Sequence, residues 1–177
     1  MTFERIGSRT VWEGRIATVR VDRFRFEDGA EADREIVEHP GAVAIVALDG
    51  DTLFLVRQPR EPVGEQVLLE LPAGKLDADG EDPLDTARRE LAEEIGKGAR
   101  EWRKLTSFYT SPGFVDEECH LFLATGLYDE PAQTEEEERI EIVEVSLADL
   151  DRLVRDCRDA KTLAGLLWLK AYGSELC

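Results

Sequence analysis

The stretch "LPAGKLDADGEDPLDTARRELAEEIG", Leu71 to Gly96, reads as a strand end, a glycine loop and a helix. Asp82 suits the N-cap, and Pro83 the first helical position. Leu84, Ala87, Leu91 and Ile95 recur at helical spacing, and Gly96 and Gly98 end the pattern. Residues three and four apart share a helix face, so Glu90, Glu93 and Glu94 project together. Like charges at that spacing repel. Carboxylates are also hard oxygen ligands suited to Mg²⁺ or Mn²⁺, and a divalent ion shared among them turns repulsion into attraction. Arg89 is placed to pair with Glu81 and steady the loop against the helix. The competing view, a solvated acidic face with i,i+4 ion pairs, explains neither the glycine loop nor the one-sidedness of the carboxylates.

Around this core the chain alternates elements. "RTVWEGRIATVRVDRFRF" (Arg9 to Phe26) is rich in β-branched and aromatic residues, and Asp28-Gly29 marks a hairpin before the strand "REIVEH". "GAVAIVAL" (Gly41 to Leu48) is a continuous apolar run, expected as a strand buried on both faces. Asp49-Gly50 turns the chain, "DTLFLVRQ" returns, and "QVLLELPAG" is a strand ended by Pro72 and Gly74. After the acidic helix come the strands "EWRKLTSFYTS", "EECHLFLATGL" and "RIEIVEVSL". Two helices follow, "LADLDRLVRDC" and "AKTLAGLLWLKAYG". Strands, helix, strands, helices imply an α/β sandwich around a mixed sheet.

Bulk properties exclude several function classes. The chain has 177 residues, 42% hydrophobic and 34% charged, which suits one domain with a sizeable core. Its net charge is −17, from 39 acidic and 22 basic residues. That balance argues against nonspecific nucleic-acid binding and against attraction to anionic membranes. It leaves room for a small anionic ligand helped by arginines or metal cations. No apolar run approaches the roughly 20 residues that span a bilayer, and "MTFERIGSRTVWEGRI" lacks a signal-peptide core. Cys119, Cys157 and Cys177 fit neither a disulfide framework nor a zinc site. A cytoplasmic protein is expected. An EF-hand is excluded, because its D-x-[DN]-x-[DN]-G spacing is missing and "DADGED" echoes it only faintly.

Arg89-Glu90-Leu91-Ala92-Glu93-Glu94-Ile95-Gly96 resembles the core of the Nudix box, G-x5-E-x7-R-E-U-x-E-E-x-G-U, with U a bulky apolar residue. Glu81 stands eight residues before Arg89, as in the box. Six residues rather than five separate Gly74 from Glu81, and Lys97 stands where the last apolar residue is expected. The resemblance implies a Nudix-type α/β/α sandwich with a mixed sheet that hydrolyses a nucleoside diphosphate linked to another group. It further implies that Glu90, Glu93 and Glu94 bind Mg²⁺, which Mn²⁺ can replace, together with the carbonyl of Ala73. Arg89 and Glu81 then act as supports.

Pro112, sixteen residues after Gly96 in "SPGFVDE", resembles the marker of the ADP-ribose pyrophosphatase branch. "REIVEHPGAVAIVAL", "VRQPREPVGEQVLLELPAGKLD" and "AKTLAGLLW" are similar to that branch as well. The branch implies cleavage of ADP-ribose to AMP and ribose 5-phosphate by a homodimer. Residues 1–38 would form its small N-terminal β-rich dimerisation region, which helps build the partner's adenine pocket, and residues 39–177 the catalytic domain. Arg57 and Arg60 become phosphate or ribose contacts, since arginine forks match phosphate oxygens. Glu117 would accept hydrogen bonds from the terminal ribose. His39 and His120 read as structural. In "QTEEEERIEI" the branch implies a mobile loop, with Glu138 near a metal and Glu136 at the water nucleophile. A one-residue slip substitutes Glu137 or Glu135. If that loop is not catalytic, Glu93 is the first alternative base. Other readings are a hydrolase of ADP-glucose or GDP-mannose on the same scaffold, or a non-catalytic module that binds ADP-ribose.

Overall fold

The computed structural model describes residues 2–76, 80–130 and 139–173. Ten strands and three α-helices are formed by these residues: β1 (Phe3–Glu13), β2 (Thr18–Phe26), β3 (Glu31–Glu38), β4 (Ala42–Asp49), β5 (Thr52–Arg60), β6 (Glu65–Glu70), β7 (Ala73–Lys75), α1 (Pro83–Ile95), β8 (Lys97–Tyr109), β9 (Glu118–Asp129), β10 (Glu141–Ser146), α2 (Leu150–Asp156) and α3 (Ala160–Tyr172).

β1, β2 and β3 form an antiparallel sheet by themselves. The segment from Arg9 to Phe26 is two strands, because the chain turns at Gly14, whose N–H donates to Ala17 O at 3.0 Å. The second hairpin closes at Asp28-Gly29. Gly29 adopts φ +84°, and Asp28 Oδ1 accepts from Ala30 N at 3.0 Å.

The larger sheet runs β10-β5-β4-β9-β8, with β6 added along β5 and β7 along β4. Only the β4–β9 pairing is parallel, so the sheet is mixed. β4 is the hinge of the packing. Val43, Ile45 and Ala47 face Ala87, Leu91 and Ile95 of α1, while Ala44, Val46 and Leu48 face the layer of α2 and α3 around Leu153, Leu166 and Leu169. Both faces of "GAVAIVAL" are therefore covered, which is why it is apolar throughout. The result is an α/β/α sandwich with a small antiparallel sheet in front.

Asp82 caps α1, accepting from Leu84 N at 2.9 Å, and Pro83 begins the helix. Gly96 ends it in the left-handed conformation at φ +66°. Gly98 was expected to share that role but lies inside β8. A Cβ there would meet Glu130 at 2.0 Å and Tyr128 at 2.4 Å, so its smallness serves a close cross-strand approach. Gly74 likewise lies inside a strand, β7, rather than ending one. Cys119 is buried, and burial pushes its thiol up to about 12. No helix of the described residues is long and apolar enough to cross a membrane.

Candidate active site

The apolar stripe of α1 locks the helix onto β4 and so aims its acidic side at the β6–β7 segment. Ala73 N donates to Glu94 Oε2 at 2.9 Å, and Glu94 is 7% exposed. Glu90 lies over Gly74: a Cβ on that residue would stand 2.0 Å from the Glu90 carboxyl. The glycine is needed for this approach, not for an unusual φ. Arg89 Nη1 sits 2.9 Å from Glu90 Oε1 and 2.9 Å from Glu93 Oε2, so the arginine gathers these carboxylates.

These groups open onto a cavity of about 470 Å³. Ala73, Glu90, Glu93 and Glu94 line it together, and Arg60 and Glu117 join them. Glu117 accepts from Thr110 Oγ1 at 2.6 Å and lies 3.3 Å from His39 Nδ1.

Arg57 is not brought to this cavity. β10 runs beside β5 with Glu141 opposite Arg57, and Glu141 Oε1 holds its guanidinium at 3.2 Å. Pro112 is separated from Glu117. It lines a second, mostly apolar cavity of about 480 Å³ with Phe3, Phe24, Phe26, Tyr109 and Phe114. The Pro112 loop is tied to the small sheet by Val37 N donating to Phe114 O at 2.8 Å. Asp116 reinforces the tie, accepting from His39 N at 2.9 Å and from Arg20 Nη2 at 3.3 Å. Glu135, Glu136, Glu137 and Glu138 lie outside the described residues.

Sequence reasoning missed one wall of the cavity, formed by Asp159 and Lys161, and the buried acid behind it. Glu70, 1% exposed, accepts both arms of Arg60, from Nε at 2.6 Å and Nη2 at 2.9 Å. That bidentate bond raises the Arg60 pKa above its ordinary value. Lys161 Nζ lies 2.8 Å from Asp159 Oδ1 and 3.6 Å from Glu70 Oε2. Burial opposes the charge on Lys161, but Asp159 and Glu70 outweigh it and hold the ammonium above its ordinary pKa. Asp159 also caps α3, accepting from Thr162 N at 2.9 Å and Thr162 Oγ1 at 2.7 Å. Two signals were available: an acid inside the apolar run "QVLLELPAG", and Asp159 placed as an N-cap just before "AKTLAGLLW".

The donor set suits a hard divalent cation: carboxylate oxygens on one helix face, with a backbone strand pressed against them by Gly74. Among the described residues, no three acidic, histidine or cysteine side chains converge tightly enough to form a finished coordination shell. Glu90 and Glu93 engage Arg89, and Glu94 engages Ala73 N, so a cation would have to share these carboxylates with their partners or displace them.

The Nudix domain family matches residues 38–165. The chain is 42% identical to an ADP-ribose pyrophosphatase of Bacillus subtilis (strain 168), over 93% of this chain and 91% of that protein. It is 38% identical to a methanol dehydrogenase activator of Bacillus methanolicus, again over 93% and 91%. A crystal structure of an ADP compounds hydrolase superposes with a TM-score of 0.86 at 26% identity, covering 99% of this chain and 96% of that one. With the box glutamates assembled on α1 and the family match spanning most of its length, this chain belongs to the Nudix hydrolase family.

Proposed function

We propose that this enzyme hydrolyses the diphosphate of ADP-ribose, with Mg²⁺, to AMP and ribose 5-phosphate. The observation that carries this reading is the cavity itself. It collects Glu90, Glu93 and Glu94 together with Arg60, Lys161 and Glu117, so that carboxylates suited to a cation and cations suited to phosphate share one space. The similarity to the Bacillus subtilis ADP-ribose pyrophosphatase, over nearly the whole chain, supports the choice of sugar.

Nudix hydrolases generally need a divalent metal. Held by Glu90, Glu93, Glu94 and the carbonyl of Ala73, the cation would supply charge neutralisation and an activated water. The chain's own residues do the rest. α1 presents the carboxylates at fixed spacing, and Arg89 keeps Glu90 and Glu93 apart from solvent rotamers. Arg60 binds a phosphate oxygen through the N–H groups not used by Glu70. Glu117 accepts from ribose hydroxyls. Glu136, on the segment before β10, takes the proton from the attacking water, and Glu138 assists at the metal. Water adds to one phosphorus, the bond from that phosphorus to the bridging oxygen breaks, and the bridging oxygen leaves with the other phosphate.

A homodimer in the cytoplasm completes the reading. Phe3 at 67% exposure, Trp12 at 56% and Phe114 at 56% leave large apolar side chains in solvent on the small sheet and the Pro112 loop. Exposed apolar surface of this kind marks association. The apolar cavity beside Pro112 would take the adenine, completed by the partner.

Hydrolysis of a panel of ADP-ribose, ADP-glucose and GDP-mannose in H₂¹⁸O, with mass analysis of products, tests the reading. ADP-ribose should be turned over best and ¹⁸O should enter a single product. Preference for GDP-mannose would replace the proposed substrate, and no turnover of any of them would leave a binding module.

A further inference from the structure

Among the described residues, four lysine and arginine side chains line the cavity: Arg60, Lys75, Arg89 and Lys161. Arg89 is engaged with Glu90 and Glu93. Arg60 and Lys161 differ from it in being organised by a carboxylate that the cation-binding face does not use. Glu70 sits at the end of β6, buried, with both oxygens on the Arg60 fork and one of them 3.6 Å from Lys161 Nζ. At 3.6 Å this is an ion pair and not a hydrogen bond. The Lys161 ammonium has three N–H donors, and the hydrogen bond to Asp159 at 2.8 Å uses one. Two donors therefore remain on a largely buried lysine in the cavity wall.

We propose that Lys161 is a further substrate-binding residue, which donates to a diphosphate oxygen, and that the buried Glu70 sets Lys161 and Arg60 side by side for this purpose; the assignment rests on the cavity being the nucleoside-diphosphate site. A buried carboxylate is costly unless well paired, and the Arg60 fork alone already satisfies both of its oxygens. The second cation beside it is surplus to that need. With Asp159 the four charges of Arg60, Lys161, Glu70 and Asp159 sum to zero, so the cluster adds no repulsion of its own. It still presents N–H donors within a cavity otherwise rich in glutamates. Lysine serves as a point charge for phosphate where arginine serves as a fork, and the two together match neighbouring oxygens of a diphosphate. The location at the start of α3 fits, because the Asp159 cap, the Thr162 hydroxyl and Leu71 N lock that turn to the end of β6. Thr162 Oγ1 accepts from Leu71 N at 2.8 Å.

The test titrates inorganic pyrophosphate and ADP-ribose, each with EDTA present, into wild type, Lys161→Met and Lys161→Arg by calorimetry. Lys161→Met should weaken both ligands by about tenfold or more, the loss expected for one charge-assisted hydrogen bond. Lys161→Arg should restore affinity to within about threefold, as a retained cation at the same place. Unchanged affinity of Lys161→Met for both ligands overturns the inference, and does so even if wild type cleaves ADP-ribose. Weakened pyrophosphate binding in a wild type that leaves ADP-ribose uncut would refute the ADP-ribose reading and retain Lys161 as a diphosphate ligand. Should Lys161→Met fail to fold, acetic anhydride labelling of wild type decides: pyrophosphate should protect Lys161, and equal labelling with and without it overturns the proposal.

Discussion

Glu94 and Ala73 are joined by a hydrogen bond, Ala73 N to Glu94 Oε2 at 2.9 Å, which ties the acidic face of α1 to the strand β7 that follows Pro72. A carboxylate in this place has two duties. It fixes the backbone of the loop, and in the proposed reading it also serves a cation.

Glu94→Gln separates the two duties. Glutamine keeps an oxygen that can accept from Ala73 N but loses the charge. The fold should persist while kcat falls by at least about 10²-fold, the scale of losing an electrostatic stabiliser. EDTA should abolish wild-type activity, and Mg²⁺ or Mn²⁺ should restore it. Full turnover in excess EDTA would remove the metal from the mechanism.

Gly74→Ala tests the close approach of Glu90. The new methyl would stand 2.0 Å from the Glu90 carboxyl, so either that side chain or β7 must move. Activity at limiting Mg²⁺ should drop more than activity at saturating Mg²⁺, because a displaced ligand weakens cation binding first. Identical Mg²⁺ dependence in variant and wild type would show that Glu90 needs no such approach.

Thr162→Val should destabilise the protein by about 1–3 kcal/mol, the range for a buried N–H left unsatisfied. The hydroxyl accepts from Leu71 N and donates to Asp159, and valine of nearly the same shape does neither. For a chain of this size, that range lowers Tm by roughly 2–4 °C per kcal/mol. An unchanged Tm would mean that Leu71 N finds another partner.

Acid stability should follow Asp159. Burial raises its carboxyl pKa, but Lys161 and the Thr162 hydrogen bonds outweigh burial, and the net shift is downward. A depressed carboxylate stabilises the fold above its unfolded pKa and loses that contribution as pH falls through the folded one. Asp159→Asn should therefore flatten the loss of Tm on acidification below the ordinary aspartate range. A variant profile parallel to wild type would assign the acid sensitivity elsewhere.

Single Gln substitutions at Glu135, Glu136, Glu137 and Glu138, assayed at saturating Mg²⁺, test the segment before β10. Glu136→Gln should lower kcat strongly and leave KM within a few-fold, as for a contact made in the transition state. Glu138→Gln should also shift the Mg²⁺ requirement. If all four keep wild-type kcat, the base lies within the box, and Glu93 is next to be tested.

Much of this protein was determined locally and could be read from the chain alone. α1 is the clearest case. Asp82, Pro83 and Gly96 delimit it, and Leu84, Ala87, Leu91 and Ile95 set its buried side, so the direction of Glu90, Glu93 and Glu94 follows from helical periodicity. "GAVAIVAL" announced a strand covered on both faces by having no polar position. Such patterns are legible because period and capping act over a few residues.

Only the tertiary structure decided which charges meet. Arg57 and Arg60 look alike in "VRQPR", yet β10 places Glu141 against Arg57, while β6 places Glu70 against Arg60 beside the cavity. Pro112 and Glu117 are five residues apart but line different cavities, because the loop between them is pinned to Val37 and Arg20 of the small sheet. Lys161 reaches the cavity from a helix about seventy residues beyond α1 in the chain, and there it meets the buried Glu70 at 3.6 Å. Ion pairs of this kind are set by strand order and by distances of a few ångströms between distant segments, and no local sequence pattern encodes either.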